Sequence, residues 1–156
     1  MKHLLVGFFL LSAGCSQSGS NNILASANAG DAHAQYQMAV RNVNGEGMPK
    51  NLAEALGWYR QSANQGYPLA QFNLGHLYQS GTGVEQDKLQ AYDWYLKAAE
   101  QGLREAQFNV GLMYKLGDGT EESEEQAFKW TIDAANQGHA DAQFNLGVWY
   151  GRGLGT

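Results

Sequence analysis

Apolar residues recur along this chain at helical spacing, and the helices they mark recur in copies. After Gly66, the residues Ala70, Leu74, Leu77 and Tyr78 fall at i, i+4, i+7 and i+8, on one side of a helix. Pro68 suits the first turn, where its missing N–H is no loss. Gly81-Thr82-Gly83 closes the helix with the positive φ that glycine adopts freely. A second helix follows. Asn51 with Glu54, Asp87 with Gln90 and Ser123 with Gln126 read as capping boxes, in which each side chain satisfies a free amide of the helix start. Behind them run Ala55, Trp58, Tyr59, Ser62 and Ala63, then Ala91, Trp94, Tyr95, Ala98 and Ala99, then Ala127, Trp130, Thr131, Ala134 and Ala135. Gly66, Gly102 and Gly138 stand where such helices should stop.

Gly30, Gly66, Gly102 and Gly138 are spaced 36 residues apart, and the text after each repeats: GDAHAQYQMA, GYPLAQFNLG, GLREAQFNVG, GHADAQFNLG. A fixed period of this size marks stacked units that bury their apolar faces only against neighbours. The expected fold is an all-α solenoid of helix-turn-helix repeats over 30–156, divided as 30–65, 66–101, 102–137 and a half unit 138–156. Ala39, Gly75, Gly111 and Gly147 form a small-residue column where a second helix can approach closely. Gln35, Gln71, Gln107 and Gln143 do not vary and are expected to hydrogen-bond backbone between units.

The set Leu74-Gly75, Tyr78, Ala91, Tyr95 and Ala98, the long Gly-x-Gly turn and the ending Lys97 to Gly102 resemble the Sel-one-like class of tetratricopeptide-type repeats. The resemblance covers 30–156. It departs at Asn42, where the column has tyrosine, and at Thr131, which replaces an aromatic. It implies a scaffold whose first helices line a concave groove and hold a protein or peptide. The half unit leaves Phe144, Leu146 and Trp149 as candidates for exposure, so the chain reads as part of a longer or degraded array, or α-helical residues 138–156 act as a cap.

The N-terminus is different in kind. Met1-Lys2-His3 is basic, Leu4 to Leu11 is an apolar run too short to cross a bilayer, and Ser12-Ala13-Gly14 precede the one cysteine, Cys15. This resembles the lipobox of bacterial lipoproteins, with Ser12 where an aliphatic residue is usual. It implies a signal peptide over 1–14, lipidation of Cys15 and a flexible tether over 15–29. Ser16 after the cysteine points to the outer membrane; a soluble periplasmic or secreted protein is the alternative. Loss of 1–14 removes Lys2 and no acid, moving the formal charge from −5 to −6. The basic residues are scattered singly, which argues against nucleic acid as a partner.

Enzyme signals are weak. His33, His76 and His139 are far apart, with no i, i+4 pair, so no metal or cofactor is expected. Gly151-Arg152-Gly153-Leu154-Gly155 follows a helix rather than a strand and reads as a turn. No serine or cysteine nucleophile has a placeable base, and no catalytic residue is assigned. Glu121, Glu122, Glu124 and Glu125 serve either as favourable charge at a helix N-terminus or as an acidic knob for a cationic partner. The alternative is binding or hydrolysis of β-lactams or cell-wall fragments: some cysteine-rich relatives of these repeats are associated with β-lactam binding, though their paired cysteines are absent here. A non-functional relic is the third reading.

A ligand is not periodic, so groove positions should vary between units. His33/Leu69/Glu105/Asp141, Val40/His76/Leu112/Val148 and Asn44/Ser80/Leu116/Arg152 vary in this way. The aromatic column Tyr36, Phe72, Phe108 and Phe144 lies about 160° around the helix from the Leu74 stripe. By that projection it cannot meet its own second helix, and faces either the groove or the next unit. The candidate groove residues are Tyr36, Val40, Leu69, Phe72, His76, Glu105, Phe108, Leu112, Phe144 and Arg152.

Overall fold

The computed structural model describes residues 22–153, and all regular elements among them are helices. Residues 22–28 are helical (α1). There follow α2 (Ala32–Asn44), α3 (Leu52–Asn64), α4 (Pro68–Ser80), α5 (Lys88–Glu100), α6 (Arg104–Leu116), α7 (Glu124–Asn136) and α8 (Ala140–Gly151). Each helix packs on the one before and the one after it in sequence, in a solenoid of hairpins.

Local chemistry sets the boundaries. The side chains of Asn51, Asp87 and Ser123 accept from the amides of Glu54, Gln90 and Gln126, as a cap requires. The reciprocal half of the capping box is replaced. The amides of Asn51, Asp87 and Ser123 donate instead to the carbonyls of Asn42, Tyr78 and Tyr114, at 2.9, 3.0 and 2.9 Å. The turn thus locks the start of each second helix onto the last turn of the first, and satisfies a free group on both.

The tether expected over 15–29 does not hold for residues 22–28, and residues 15–21 lie outside the described ones. Its last part is α1, and Ala27 is buried against Ala34 and Met38. The reason is in the text: Ser26-Ala27-Asn28-Ala29-Gly30 copies Ser62-Ala63-Asn64-Gln65-Gly66. Helix α1 is therefore the end of a second-type helix ahead of the first unit. The signal peptide and Cys15 lie outside the described residues.

Alanine dominates the interfaces, because close-packed helices leave room for little more. Ala39, Ala70, Ala91, Ala98, Ala106, Ala127, Ala134 and Ala142 are all 0 % exposed. Tyr95 is fully buried over Gly75, where an added Cβ would lie 2.8 Å from the ring. Here glycine is required by the approach, which offsets its helix penalty of about 1 kcal/mol. The tryptophans reach back: Trp58 packs on the Ala27–Met38 cluster, Trp94 on that of Leu56 and Leu74, and Trp130 on that of Tyr95 and Val110.

The invariant glutamines join three helices at once. Gln35, Gln71, Gln107 and Gln143 donate through Nε2 to the carbonyls of Ala27, Ala63, Ala99 and Ala135, at 3.1–3.3 Å, at the end of the preceding second helix. Gln65, Gln101 and Gln137 donate at 2.7 Å to Oε1 of Gln35, Gln71 and Gln107. Each buried carboxamide uses both its ends, so a change of register between units would leave polar groups unpaired.

Candidate partner-binding groove

Along each first helix, positions such as His33, Val40 and Asn44 lie at i, i+7 and i+11 and so share one side. Across α2, α4, α6 and α8, these columns form a strip that solvent reaches. His33, Leu69, Asp141, His76, Asn44, Ser80, Leu116 and Arg152 are exposed; Val40, Glu105, Leu112 and Val148 are half-buried. Leu69 and Leu116 are 39 % and 66 % exposed, and give the strip an apolar middle between polar ends.

The aromatic column divides. Tyr36 packs against Tyr59 and Tyr67, with ring centroids 6.1 and 5.2 Å apart. Phe72 packs against Tyr95 at 5.5 Å. Tyr59 and Tyr95 belong to the second helices of the same units, which corrects the projection argument. A helical wheel places Cβ atoms, whereas the Tyr95 ring lies across Gly75 and extends to Phe72, three residues away on α4. Phe108 instead stacks on His139 of the next unit at 4.4 Å and 24°. Phe144 is 71 % exposed. Leu146 packs on Ala134, Ala135 and Ala142. Trp149, expected exposed, is buried: it stacks on Phe128 at 5.6 Å.

At the first junction, Tyr67 completes a polar aromatic cluster. Its hydroxyl lies 2.8 Å from His33 Nδ1, and His33 Nε2 lies 2.9 Å from the Gln37 amide. Burial raises the Tyr67 phenol pKa, helped by Tyr36 and Asp31. Tyr67 was missing from the candidate residues, yet its column, Asp31/Tyr67/Leu103/His139, varies as a groove column should. The same test applied one residue ahead of each first helix finds it. At the third junction, Arg104 Nε donates to Glu105 at 2.9 Å, which holds the carboxyl below its usual range despite partial burial. His139 accepts from the Ala142 amide through Nδ1 and so caps α8.

Arg152 lines a cleft of about 370 Å³ with Lys115, Glu124, Glu125, Phe128 and Trp149. The earlier units have the same corner closed. A Cβ at Gly119 would overlap the Lys88 carbonyl, so the glycine turn of one unit sits on the second helix before it. Lys88 then pairs with Asp118 at 2.7 Å. Glu124 and Glu125 lie in the first turn of α7, where their charge meets the helix dipole.

Chemically the strip offers rings, amides and leucines rather than a reacting pair. Among the described residues no three His, Cys, Asp or Glu converge to hold a metal ion. The three histidines separate: His33 on Tyr67, His76 in solvent, His139 at a helix cap. No helix among the described residues is long and apolar enough to cross a membrane.

The Sel1 repeat family model matches residues 32–67, 68–103, 104–139 and 140–156. Among solved structures, a Sel1 repeat protein from Oxalobacter formigenes is 36% identical with a TM-score of 0.80, covering 83% of this chain and 97% of that one. A protective antigen of uropathogenic Escherichia coli strains, displaying an SLR fold, is 38% identical with a TM-score of 0.84. That match covers 90% of this chain and 30% of the longer antigen. Helicobacter pylori cysteine rich protein B shares the fold at 16% identity and a TM-score of 0.64, covering 85% of this chain and 95% of that one. No curated protein sequence matches.

Proposed function

This chain belongs to the Sel1 repeat family, and from that premise we propose that it is an exported, lipid-anchored scaffold holding a protein or peptide in the bacterial envelope. Sel1 repeats mediate protein–protein contact. The observation that carries the finer reading is the division of labour along α2, α4, α6 and α8. Positions tied into the Gln–carbonyl ladder and the alanine seams repeat, whereas the solvent-reached strip through exposed His33, Leu69, His76, Leu116 and Arg152 and half-buried Leu112 changes from each unit to the next. Packing between equivalent units selects the same residue each time; recognition of an aperiodic partner selects different ones. The strip carries large apolar side chains among polar ones, the make-up of a protein interface rather than of a catalytic pocket.

Export rests on Leu4 to Leu11 and the Ser12-Ala13-Gly14-Cys15 text. With Cys15 acylated, no more than residues 15–21 separate the lipid from α1. Fully extended, they reach roughly 25 Å at about 3.5 Å per residue. The scaffold would then work close to the membrane surface, on the outer membrane if Ser16 acts as a sorting residue.

The test is site-directed photocrosslinking in intact cells from Leu69 and Leu116, with Glu100 on the second-helix side as the control. One shared band from both strip positions, absent from Glu100, is expected. Equal labelling from Glu100 would remove the groove reading. Fatty-acid labelling should mark the wild type and not Cys15→Ser; labelling of both, or of neither, would remove the anchor.

A further inference from the structure

One buried hydrogen bond of the second unit is missing from the first. Tyr95 of α5 donates its hydroxyl to Gln79 Oε1 of α4 at 2.9 Å. Tyr59 holds the same place on α3, but the residue one period before Gln79 is Val43, which has no acceptor. Asn73 Nδ2 donates to the Tyr59 hydroxyl at 3.0 Å. The phenol oxygen is thereby satisfied, while its proton has no acceptor among the described residues. Tyr59 is 4 % exposed, and a group so buried rarely leaves its O–H unpaired. The third unit has no such phenol: Thr131 stands there and returns its hydroxyl to the Ala127 carbonyl at 2.7 Å.

The exchange of glutamine for valine also opens the place. Tyr95 is 0 % exposed beside Gln79, whereas Tyr59 keeps its residual exposure beside the shorter Val43. Val43 packs half-buried on the Tyr59 cluster, at i+3 from Val40 and i+7 from Tyr36, so the gap opens toward the strip. Tyr36 borders it, with its ring 6.1 Å from that of Tyr59. It carries a hydroxyl where Phe72 and Phe108 have none, and that hydroxyl has no hydrogen-bond partner among the described residues. Its phenol is near enough to Tyr59 and Tyr67 to help raise the pKa of both. Two O–H donors therefore meet where the next unit places a carboxamide oxygen. The place lies between α2, α3 and α4, within the array.

We propose that the first unit holds an amide-binding subsite of the groove, in which the Tyr59 hydroxyl, flanked by Tyr36, donates to an amide carbonyl oxygen of the bound peptide. That oxygen takes the position that Gln79 Oε1 fills in the second unit. The subsite rests on the groove reading and gives it a recognition element. The Asp31 carboxylate is felt at Tyr67, so a neutral amide suits this junction better than a second carboxylate. A peptide offers such an oxygen in its main chain and in its Asn and Gln side chains.

The experiment has two arms on the full chain. In the first, the chain carrying Cys15→Ser, isotope-labelled at the tyrosine Cζ atoms, is titrated and followed by NMR. The probes are N-methylacetamide for the main-chain oxygen, propionamide for the side-chain oxygen, and sodium acetate. The Tyr59 signal is identified by its loss in Tyr59→Phe. It should move saturably with at least one amide and not with acetate, and the amide that moves it names the source. In Val43→Gln, whose own carboxamide fills the place as Gln79 does, neither amide should move it. A signal that moves with no amide, that follows acetate as well, or that moves equally in Val43→Gln would overturn the proposal.

In the second arm, the Leu69 photocrosslink is measured in cells. Val43→Gln and Tyr59→Phe should each lower its yield roughly three- to tenfold, the worth of one hydrogen bond. The double variant should lower it no further, because both changes remove the same donor; a further loss would overturn the proposal. An unchanged yield in either variant would overturn the subsite and leave the groove standing, whereas a wild type without the crosslink would remove both. Circular dichroism checks the fold, and if Tyr59→Phe loses helix, Val43→Gln carries the test. The urea midpoint of Val43→Gln should rise; a fall would show that a glutamine there does not reach Tyr59, which would overturn the geometry.

Discussion

Replacing Gln71 by leucine probes what holds successive units in register. The carboxamide is 4 % exposed. It donates to the Ala63 carbonyl at 3.1 Å and accepts from Gln101 Nε2 at 2.7 Å, bridging α3, α4 and α5. Leucine fills a similar volume, so the cavity cost is small and the loss is polar. Two hydrogen bonds at about 0.5–1.5 kcal/mol each give ~1–3 kcal/mol. Neither group left behind is badly stranded. The Ala63 carbonyl keeps the Gly66 amide at 3.0 Å, and Gln101 is exposed and can turn to water. The expected cost is therefore about 2 kcal/mol, read as a lowered urea midpoint at unchanged slope. Gln143→Leu is the internal control, because that exposed side chain makes only the 3.1 Å bond to Ala135. It should cost less than about 1 kcal/mol. Equal losses at both positions, or none at Gln71, would refute the idea that the ladder stabilises the stack.

The small-residue column gives opposite signs at equivalent places. Gly75→Ala should destabilise, since its Cβ would meet the Tyr95 ring at 2.8 Å, whereas Gly147→Ala meets nothing and should stabilise by about 1 kcal/mol; thermal melts check both. Burial raises Tyr95 to about 12, and burial with the Tyr114 hydroxyl raises Tyr92 to about 12. Both pKa values are raised in the folded state, so this contribution to stability is intact below pH 10 and disappears between about 10 and about 12. Phenolate absorbance should show a late step from Tyr92 and Tyr95 near pH 12, and Tyr95→Phe should shrink that step. Ala27→Asp buries a carboxylate in a position that is 1 % exposed and should lower the melting temperature, where a tether residue would show no change.

Where local signals and period agreed, the structure could be read from the text. The caps at Asn51, Asp87 and Ser123, the stops at Gly66, Gly102 and Gly138 and the glutamine ladder each depend on one residue type meeting one backbone group. Helix α1 was illegible by composition, because Ser, Asn and Ala describe a linker as well as a second helix built of small residues. It was legible by comparison with 62–66, a step the 30–156 boundary left out. Trp149 escaped because the half unit alone implies its exposure, whereas Phe128 on the preceding helix α7 covers it; Phe72 escaped for another reason. A wheel fixes the direction of Cβ but not the reach of a ring, and the rings here span the space that Gly75 and the alanines leave open. The partner strip remained only a set of columns, since variation shows where selection for packing is relaxed, not what rests there.

That distinction also bears on what the scaffold can recognise. Its first junction presents His33, Tyr36 and Tyr67, its middle Leu69, Leu112 and Leu116, and its far end Asp141 and Arg152. The glutamine bonds hold these groups in fixed register, so a partner gains contacts without ordering the scaffold first, which keeps the entropic cost of binding on the partner's side. A substitution in the strip should then weaken binding without changing the melt, and one in the ladder should change the melt before it weakens binding. Were the two kinds of position to behave alike, the frame and the recognition surface would not be separable in this protein.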